Sequence, residues 1–267
     1  MSGLRHLADT STLTGGGSYF DYQRRVAKEA ILPWLAARLP LASIDVADFG
    51  SHSGGMIDVL REDGRVRSAL GFELNRDVVA ESPLRPDPLF RLTEADLLRL
   101  DAHEEFDLVL ACEVLEHVPA TAELLRVARR ALRPRGHMLV TFPPFWSPFG
   151  GHQQLASTAV RLVPYLQYAG RYRFLKLARL QDTNYMSAET ALEDVTSVFA
   201  TKLTLRRAER AFHAEGFRLA DRTLWLLRPE YRVRYGVRPL GAGPLGTVPV
   251  VREALVTGAY YLLERSP

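Results

Sequence analysis

The stretch DFGSHSGG, Asp48 to Gly55, stands between an apolar run, IDVA, and an amphipathic one, MIDVLRE. A strand that ends in a glycine-bearing turn and re-enters as a helix is the opening βα unit of a nucleotide-type sheet. The turn departs from the G-x-G-x-x-G dinucleotide pattern. Gly50 is followed by Ser51, His52 and Ser53, and only then by Gly54 and Gly55. No G-x-x-x-x-G-K-[ST] phosphate loop occurs elsewhere. The turn therefore reads as a glycine loop with His52 where a middle glycine is expected.

Outward from the loop, strands and helices alternate. Strands are predicted at 44–50, 67–74, 88–96, 106–114 and 136–143, and helices at 53–63, 75–82 and 120–132. The strand cores are near-continuous apolar runs, as when both faces of a parallel sheet are covered. Upstream, Tyr19, Tyr22, Val26, Ala30, Ile31, Trp34 and Leu35 recur at helical spacing, which predicts a helix over 19–39 kinked at Pro33. Residues 1–18, polar and ending in TGGGS, read as a flexible lead-in. After Pro143 comes a proline, glycine and aromatic loop, PPFWSPFGGHQQ, and then irregular helical sequence over 155–200. A helix at 203–216, a strand at 217–227, a Pro- and Gly-rich link at 228–255 and a strand at 257–265 close the chain. The last two strands are expected to be antiparallel neighbours.

The bulk numbers bound the partners. With 267 residues, 47% hydrophobic and 24% charged, the composition suits one large globular domain. A net charge of +3 is well short of the basic surface that nucleic-acid binders carry. One cysteine, Cys112, forbids an intramolecular disulfide and points to a reducing, cytoplasmic setting. The N-terminus has no signal-peptide core, and no apolar run approaches ~20 residues, so any membrane contact is peripheral.

An ordered set of acids completes the pattern. Asp48 stands two before Gly50, Glu73 ends the second strand, and Asp96 ends the third. FDLVLACEVLEHV and RALRPRGHMLVTFPP follow in order. At these residues the chain resembles the class I S-adenosylmethionine-dependent methyltransferases, in particular the small-molecule branch that includes the ubiquinone-pathway O-methyltransferases. The family's first motif usually reads D-x-G-x-G-x-G, and His52 departs from it. The resemblance covers residues 44–144 well and the closing elements loosely. It implies an α/β, Rossmann-like, seven-stranded sheet, mostly parallel with an antiparallel last strand, and helices on both faces. It further implies a cap helix at 19–39, a cofactor-binding core at 44–144, an acceptor lid inserted after strand five at 145–203, and closing elements at 204–267, all one domain.

The resemblance assigns S-adenosylmethionine contact to Tyr22, Asp48, Gly50, Ser51, His52, Gly54, Glu73, Leu74, Asp96, Leu97, Cys112 and Glu113. The chemistry agrees. A strand-end carboxylate, Glu73, accepts from both hydroxyls of a ribose diol, and Asp96 from the adenine amine. Carbonyls near Gly50 and Cys112, with the charge of Asp48, suit the methionine ammonium. Each acid also has a structural reading, as a solvated or helix-capping carboxylate. The His52 side chain must point away from the methionine end or line its rim, the alternative being a solvent-facing residue with no role.

Methyl transfer to an un-ionised acceptor needs a base, for which histidine suits neutral pH. His6, His103 and His213 fall in surface segments, and His137 lies at the far end of the sheet. His117 and His152 follow strands four and five on the ligand side, so they are the catalytic candidates, with a loop-stabilising hydrogen bond as the alternative for His152. Glu113, Glu116 and His117, at i, i+3 and i+4, share one face on a helical turn. The same E-x-x-E-H pattern is implicated in metal binding in the ubiquinone-pathway relatives. Magnesium is thus an option, although no metal ligand is assigned. The aromatic and basic segment after strand five (Phe145, Trp146, Phe149, Tyr165, Tyr168, Tyr172 and Phe174, with Arg161, Arg171, Arg173, Lys176 and Arg179) would, as the lid the resemblance implies, suit a small apolar or anionic acceptor, the alternatives being a packed helical insertion with snorkelling arginines and a peripheral membrane contact. O-methylation is preferred. C- or N-methylation of a lipophilic, polyprenyl or natural-product acceptor, and a non-catalytic binding protein on this fold, are the rivals. Nucleic acid is disfavoured because FPPF (142–145) lacks the acid or amide and the tyrosine of amino-methylating N/D-P-P-Y motifs.

Overall fold

The computed structural model describes residues 18–157, 160–161, 163–182 and 186–266. The expected lead-in, apart from Ser18, and His6 lie outside the described residues. Ser18 caps the first helix: its hydroxyl accepts from Asp21 N–H, and the Asp21 carboxylate accepts back from Ser18 N–H. Helix α1 (Tyr19–Val26) runs through a π turn (Ala27–Ile31) into α2 (Leu32–Ala36). The interruption falls just before Pro33, whose ring and missing N–H cannot continue a regular ladder.

Strand β1 (Asp45–Phe49) leads through the DFGSHSGG turn into α3 (Gly55–Asp63). There follow β2 (Ser68–Glu73), α4 (Arg76–Ala80), β3 (Phe90–Glu94), β4 (Phe106–Cys112), α5 (Thr121–Ala131) and β5 (Leu132–Phe142). Beyond β5 come α6 (Arg171–Ala178), α7 (Ala188–Thr201) and α8 (Leu205–Ala214), then β6 (Phe217–Leu227), α9 (Glu230–Tyr235), β7 (Leu240–Gly241), α10 (Pro249–Leu255) and β8 (Gly258–Arg265). The sheet order is β3-β2-β1-β4-β5-β8-β6-β7. β1 to β5 pair in parallel, and β8 runs antiparallel to both β5 and β6. The seven expected strands are present with the last one antiparallel. An eighth, the two-residue β7, lies inside the 228–255 link and pairs with β6. That link also holds α9 and α10, which its proline and glycine content had concealed.

Two apolar layers sandwich the sheet. One contains Phe49, Phe106, Leu124 and Val127, the other Ile31, Leu35, Ile57 and Leu60. The insertion has a cluster of its own, built on Phe145, Phe174, Val195 and Phe199. Strand order reverses between β1 and β4, so their carboxyl ends splay and leave a crevice where a ligand can sit. No described helix is long and apolar enough to cross a membrane.

Candidate active site

The crevice is a cavity of about 610 Å³. Its wall contains Tyr22, Asp48, Gly50, His52, Glu73, Leu74, Asp96, Leu97, Cys112, Glu113, His117 and His152. These are the residues the sequence nominated, with two exceptions. Ser51 turns its hydroxyl under β2, where Gly71 leaves room for it: a Cβ on Gly71 would come within 2.6 Å of Ser51 Oγ. Gly54, at φ +84°, starts α3 and packs against Leu84 rather than lining the cavity.

The loop keeps its glycine geometry. Gly50 has φ +69°, and a Cβ there would lie 2.7 Å from Val114 Cγ2. His52 also adopts a left-handed conformation, φ 48°, at a cost of about 1–2 kcal/mol for a residue with a Cβ. What this conformation achieves is visible in its backbone: His52 N–H donates to Glu73 Oε2 at 2.9 Å. Asn75 N–H donates to Glu73 Oε1 at 2.9 Å. Each Glu73 oxygen thus has one fixed donor and keeps a lone pair for a ligand hydroxyl. The half-buried His52 ring lines the cavity and lies 4.3 Å from that of Tyr19, centre to centre. Burial lowers its pKa, keeping the ring neutral.

α1 lies across the loop. Gln23 donates to Ser51 O at 3.1 Å and accepts from Ser53 Oγ at 3.1 Å and Gly55 N–H at 3.3 Å. Gly55 permits this approach, since a Cβ there would sit 2.6 Å from Phe20 O. Asp48 is 4% exposed at the cavity floor, and burial, with Glu73 nearby, pushes its carboxyl up to about 8. Burial likewise raises the Cys112 thiol well above its ordinary value. Asp96 Oδ1 accepts from Leu98 N–H at 3.0 Å, so it caps a 3-10 turn while its other oxygen stands beside Arg99 at 3.4 Å.

Opposite the loop, the E-x-x-E-H face is not assembled as expected. Glu113 has φ 59°, outside any helical turn, and pairs with Arg228 at 2.7 Å. Arg228 is held from its other side by Glu230 at 2.9 Å, which also accepts from Tyr260 at 2.7 Å. Arg234 donates to the Tyr22 hydroxyl at 2.9 Å. The sequence reading missed these groups on and beside α9. The charged and aromatic run RPEYRVRY, standing in an otherwise Pro- and Gly-rich link, was the signal available.

His152 takes the place of Glu113. One ligand atom from each of Glu116, His117 and His152 lies within 4.8 Å of the others. Both rings are oriented by α7, in the insertion. His152 Nδ1 is 2.8 Å from Asp194 Oδ2, and a carboxylate only accepts, so Nδ1 carries the proton and Nε2 a lone pair. His117 Nδ1 is 2.9 Å from Ser197 Oγ. That hydroxyl donates to Asp194 O at 2.7 Å, so it accepts from His117, whose Nε2 is also a lone pair. Burial, with His152 beside it, holds His117 down to about 4 against the pull of Asp194. Burial pushes the Asp194 carboxyl up, but His152 and His117 outweigh it and the net shift is downward. Glu116, 2% exposed, has both carboxyl oxygens buried without a hydrogen-bond partner among the described residues, with His117 Nε2 3.8 Å from Oε1, and burial raises its pKa.

The expected aromatic lid is divided: Phe145, Phe174 and Arg161 are buried, whereas Tyr168 and Tyr172 are 55% and 79% exposed and Arg171, Arg173, Lys176 and Arg179 lie on the surface. Phe145 and Phe174 pack on Phe199, with ring centres 5.2 and 5.1 Å apart. Arg161 is buried against Ala156 O. The insertion meets the cavity instead through His152, Gln154, Leu155, Met186 and Asp194. Asp194 and Ser197 were invisible to the sequence reading, because their partners are 42 and 80 residues away in the chain.

A family model described as a methyltransferase domain matches residues 20–196. The chain belongs to the methyltransferase domain family. Its fold is that of the S-adenosylmethionine-dependent methyltransferases: it aligns with one from Methanosarcina mazei at TM-score 0.53 and 14% identity, over 88% of this chain and 97% of that one. A ubiquinone biosynthesis O-methyltransferase of Stutzerimonas stutzeri is 24% identical over 64% of this chain and 75% of its own length. Another, from Pseudomonas entomophila, is 27% identical over 39% of this chain and 47% of its own. The chain thus spans about half the length of most of the curated relatives it matches. In this methyltransferase-domain chain the matched segment takes in α1 from Phe20 on, the glycine loop, Asp48, Glu73 and Asp96, and most of α7, including Asp194.

Proposed function

We propose that the chain is an S-adenosylmethionine-dependent methyltransferase acting on a hydroxyl of a small-molecule acceptor. One observation carries the reading. A single cavity joins a diol-accepting carboxylate and a buried carboxyl suited to an ammonium, Glu73 and Asp48, to a histidine oriented by a carboxylate, His152 on Asp194. The residues fit the cofactor: Gly50 brings backbone close, Glu73 retains a lone pair on each oxygen, and no phosphate-binding device is required. Bound there, S-adenosylmethionine supplies a sulfonium methyl to an in-line nucleophile. The chain's own part is to align the acceptor and take its proton at His152 Nε2, with Asp194 fixing the tautomer and stabilising the charge that forms. His117, kept neutral, adds a second acceptor beside it.

Incubation with methyl-labelled S-adenosylmethionine and a panel of phenolic, alcoholic and amine acceptors tests this. Label in an O-methyl product that falls about 10²–10⁴-fold with His152→Ala, at unchanged S-adenosylhomocysteine affinity, is the expected result. Label confined to carbon or nitrogen would sink the O-directed reading.

A second reading rests on the Glu116 carboxyl, which has no hydrogen-bond partner among the described residues. Together with two Nε2 lone pairs it makes a one-carboxylate, two-histidine set, which suits a borderline cation such as zinc or manganese better than magnesium. An ion there would lower the acceptor's pKa directly, and His152 would be a ligand instead of a base. Chelation separates the two. Activity indifferent to chelator keeps the base, whereas activity lost to chelator and restored by zinc or manganese installs the metal.

A further inference from the structure

Far from the cofactor cavity, at the opposite end of the parallel strands, a second cleft of about 640 Å³ opens. Arg126, Arg129 and Arg130 of α5, Arg265 of β8, Glu104 and Glu215 line it. Two of the four guanidiniums are neutralised locally. Arg265 pairs with Glu104 at 2.9 Å, and Arg126 pairs with Glu123 at 2.6 Å and Glu215 at 3.2 Å. The other two touch only backbone carbonyls. Arg129 donates to Ser266 O at 3.2 Å and Arg130 to Leu100 O at 2.5 Å. Among the described residues neither has an acidic partner. The Nε of each is buried with no hydrogen-bond partner at all. Both residues line the cleft, so their charge stands there without a carboxylate to balance it.

We propose that this cleft binds a phosphoryl anion, free or carried on an organic ester. Two uncompensated guanidiniums match a dianion in charge, and guanidinium N–H groups beyond the buried Nε suit phosphoryl oxygens. A single carboxylate would satisfy one fork and leave the other unpaired. The cleft is larger than a lone phosphate and has room for an organic body beside it.

Calorimetric titration of the full chain with inorganic phosphate and with pyrophosphate tests the proposal. Saturable binding, tighter for pyrophosphate and weakening as salt rises, is expected. Arg130→Gln and Arg129→Gln should each weaken it about tenfold or more, with melting temperature and S-adenosylhomocysteine affinity retained. Arg130→Lys, which keeps the charge but not the fork, should recover only part of the loss. Flotation with phosphatidate vesicles, against phosphatidylcholine ones, distinguishes the source. Flotation that the two Gln variants abolish assigns a lipid headgroup, and pyrophosphate binding without flotation assigns a free anion or ester. If neither anion binds at millimolar concentration and no vesicle is captured, or if binding is unchanged in the doubly substituted R129Q/R130Q chain, the proposal is overturned.

Discussion

Glu73 shows how much one side chain can organise. Its two oxygens accept from the loop at His52 N–H and from α4's approach at Asn75 N–H. The left-handed turn at His52 is therefore tied to the carboxylate that would hold the ribose. Glu73→Ala removes the ligand's charge-assisted bonds and loosens the loop together, so S-adenosylhomocysteine affinity should fall by about 1.5–3 kcal/mol in calorimetry. An affinity within a factor of two of the parent would remove Glu73 from the binding site. Asp194 makes a different prediction, since it touches no expected cofactor position. Asp194→Asn can offer its amide to His152 Nδ1 and so favour the wrong tautomer. The turnover rate should drop by about 10²–10⁴ while cofactor affinity holds. An equal loss in both would reassign Asp194 to folding.

The elements differ in how openly the sequence displayed them. β1 to β5 were legible because strands buried on both faces read as apolar runs, and because glycine-loop spacing and strand-end acids occur in fixed order. The site's far wall was not. Glu113 lies in a positive-φ turn that no periodicity announces, so no helical face runs through Glu113, Glu116 and His117. α9 and β7 hide in a Pro- and Gly-rich link, and α7's contribution depends on tertiary docking alone. α1 was legible as a helix, but its role appears only in contact: Gln23 bridges three loop groups, and Tyr19 covers His52. If α1 closes over bound cofactor, amide exchange across Tyr19–Val26 should slow when S-adenosylhomocysteine saturates the protein. Exchange unaltered at saturation would leave α1 a fixed wall.

For the whole molecule the sharpest consequence follows from burying an acid in the floor of the cavity. The Asp48 carboxyl is pushed up to about 8 by burial and by Glu73, against about 3.9 in an unfolded chain. A raised folded-state value means that its contribution to stability is fully present below the unfolded pKa and is lost as pH rises toward the folded one. Between about pH 4 and pH 8 the ligand-free protein should lose stability through this group, at up to about 1.4 kcal/mol per pH unit. A ligand ammonium at Asp48 reverses the preference, since it favours the ionised form and compensates for the lost hydration. Binding below pH 8 must then release a proton, so affinity should rise as pH rises from 6 to 8. The gain in melting temperature at a fixed S-adenosylhomocysteine concentration should grow over the same window. Asp48→Asn removes both the titration and the attraction, so it should flatten the pH dependence of the gain and weaken binding. Thermal melts at pH 6, 7 and 8, with calorimetry in buffers of different ionisation enthalpy to count the proton, decide the matter. A gain that is equal at all three pH values, with no proton released, would mean that Asp48 is already ionised in the ligand-free fold and that the ammonium is held elsewhere.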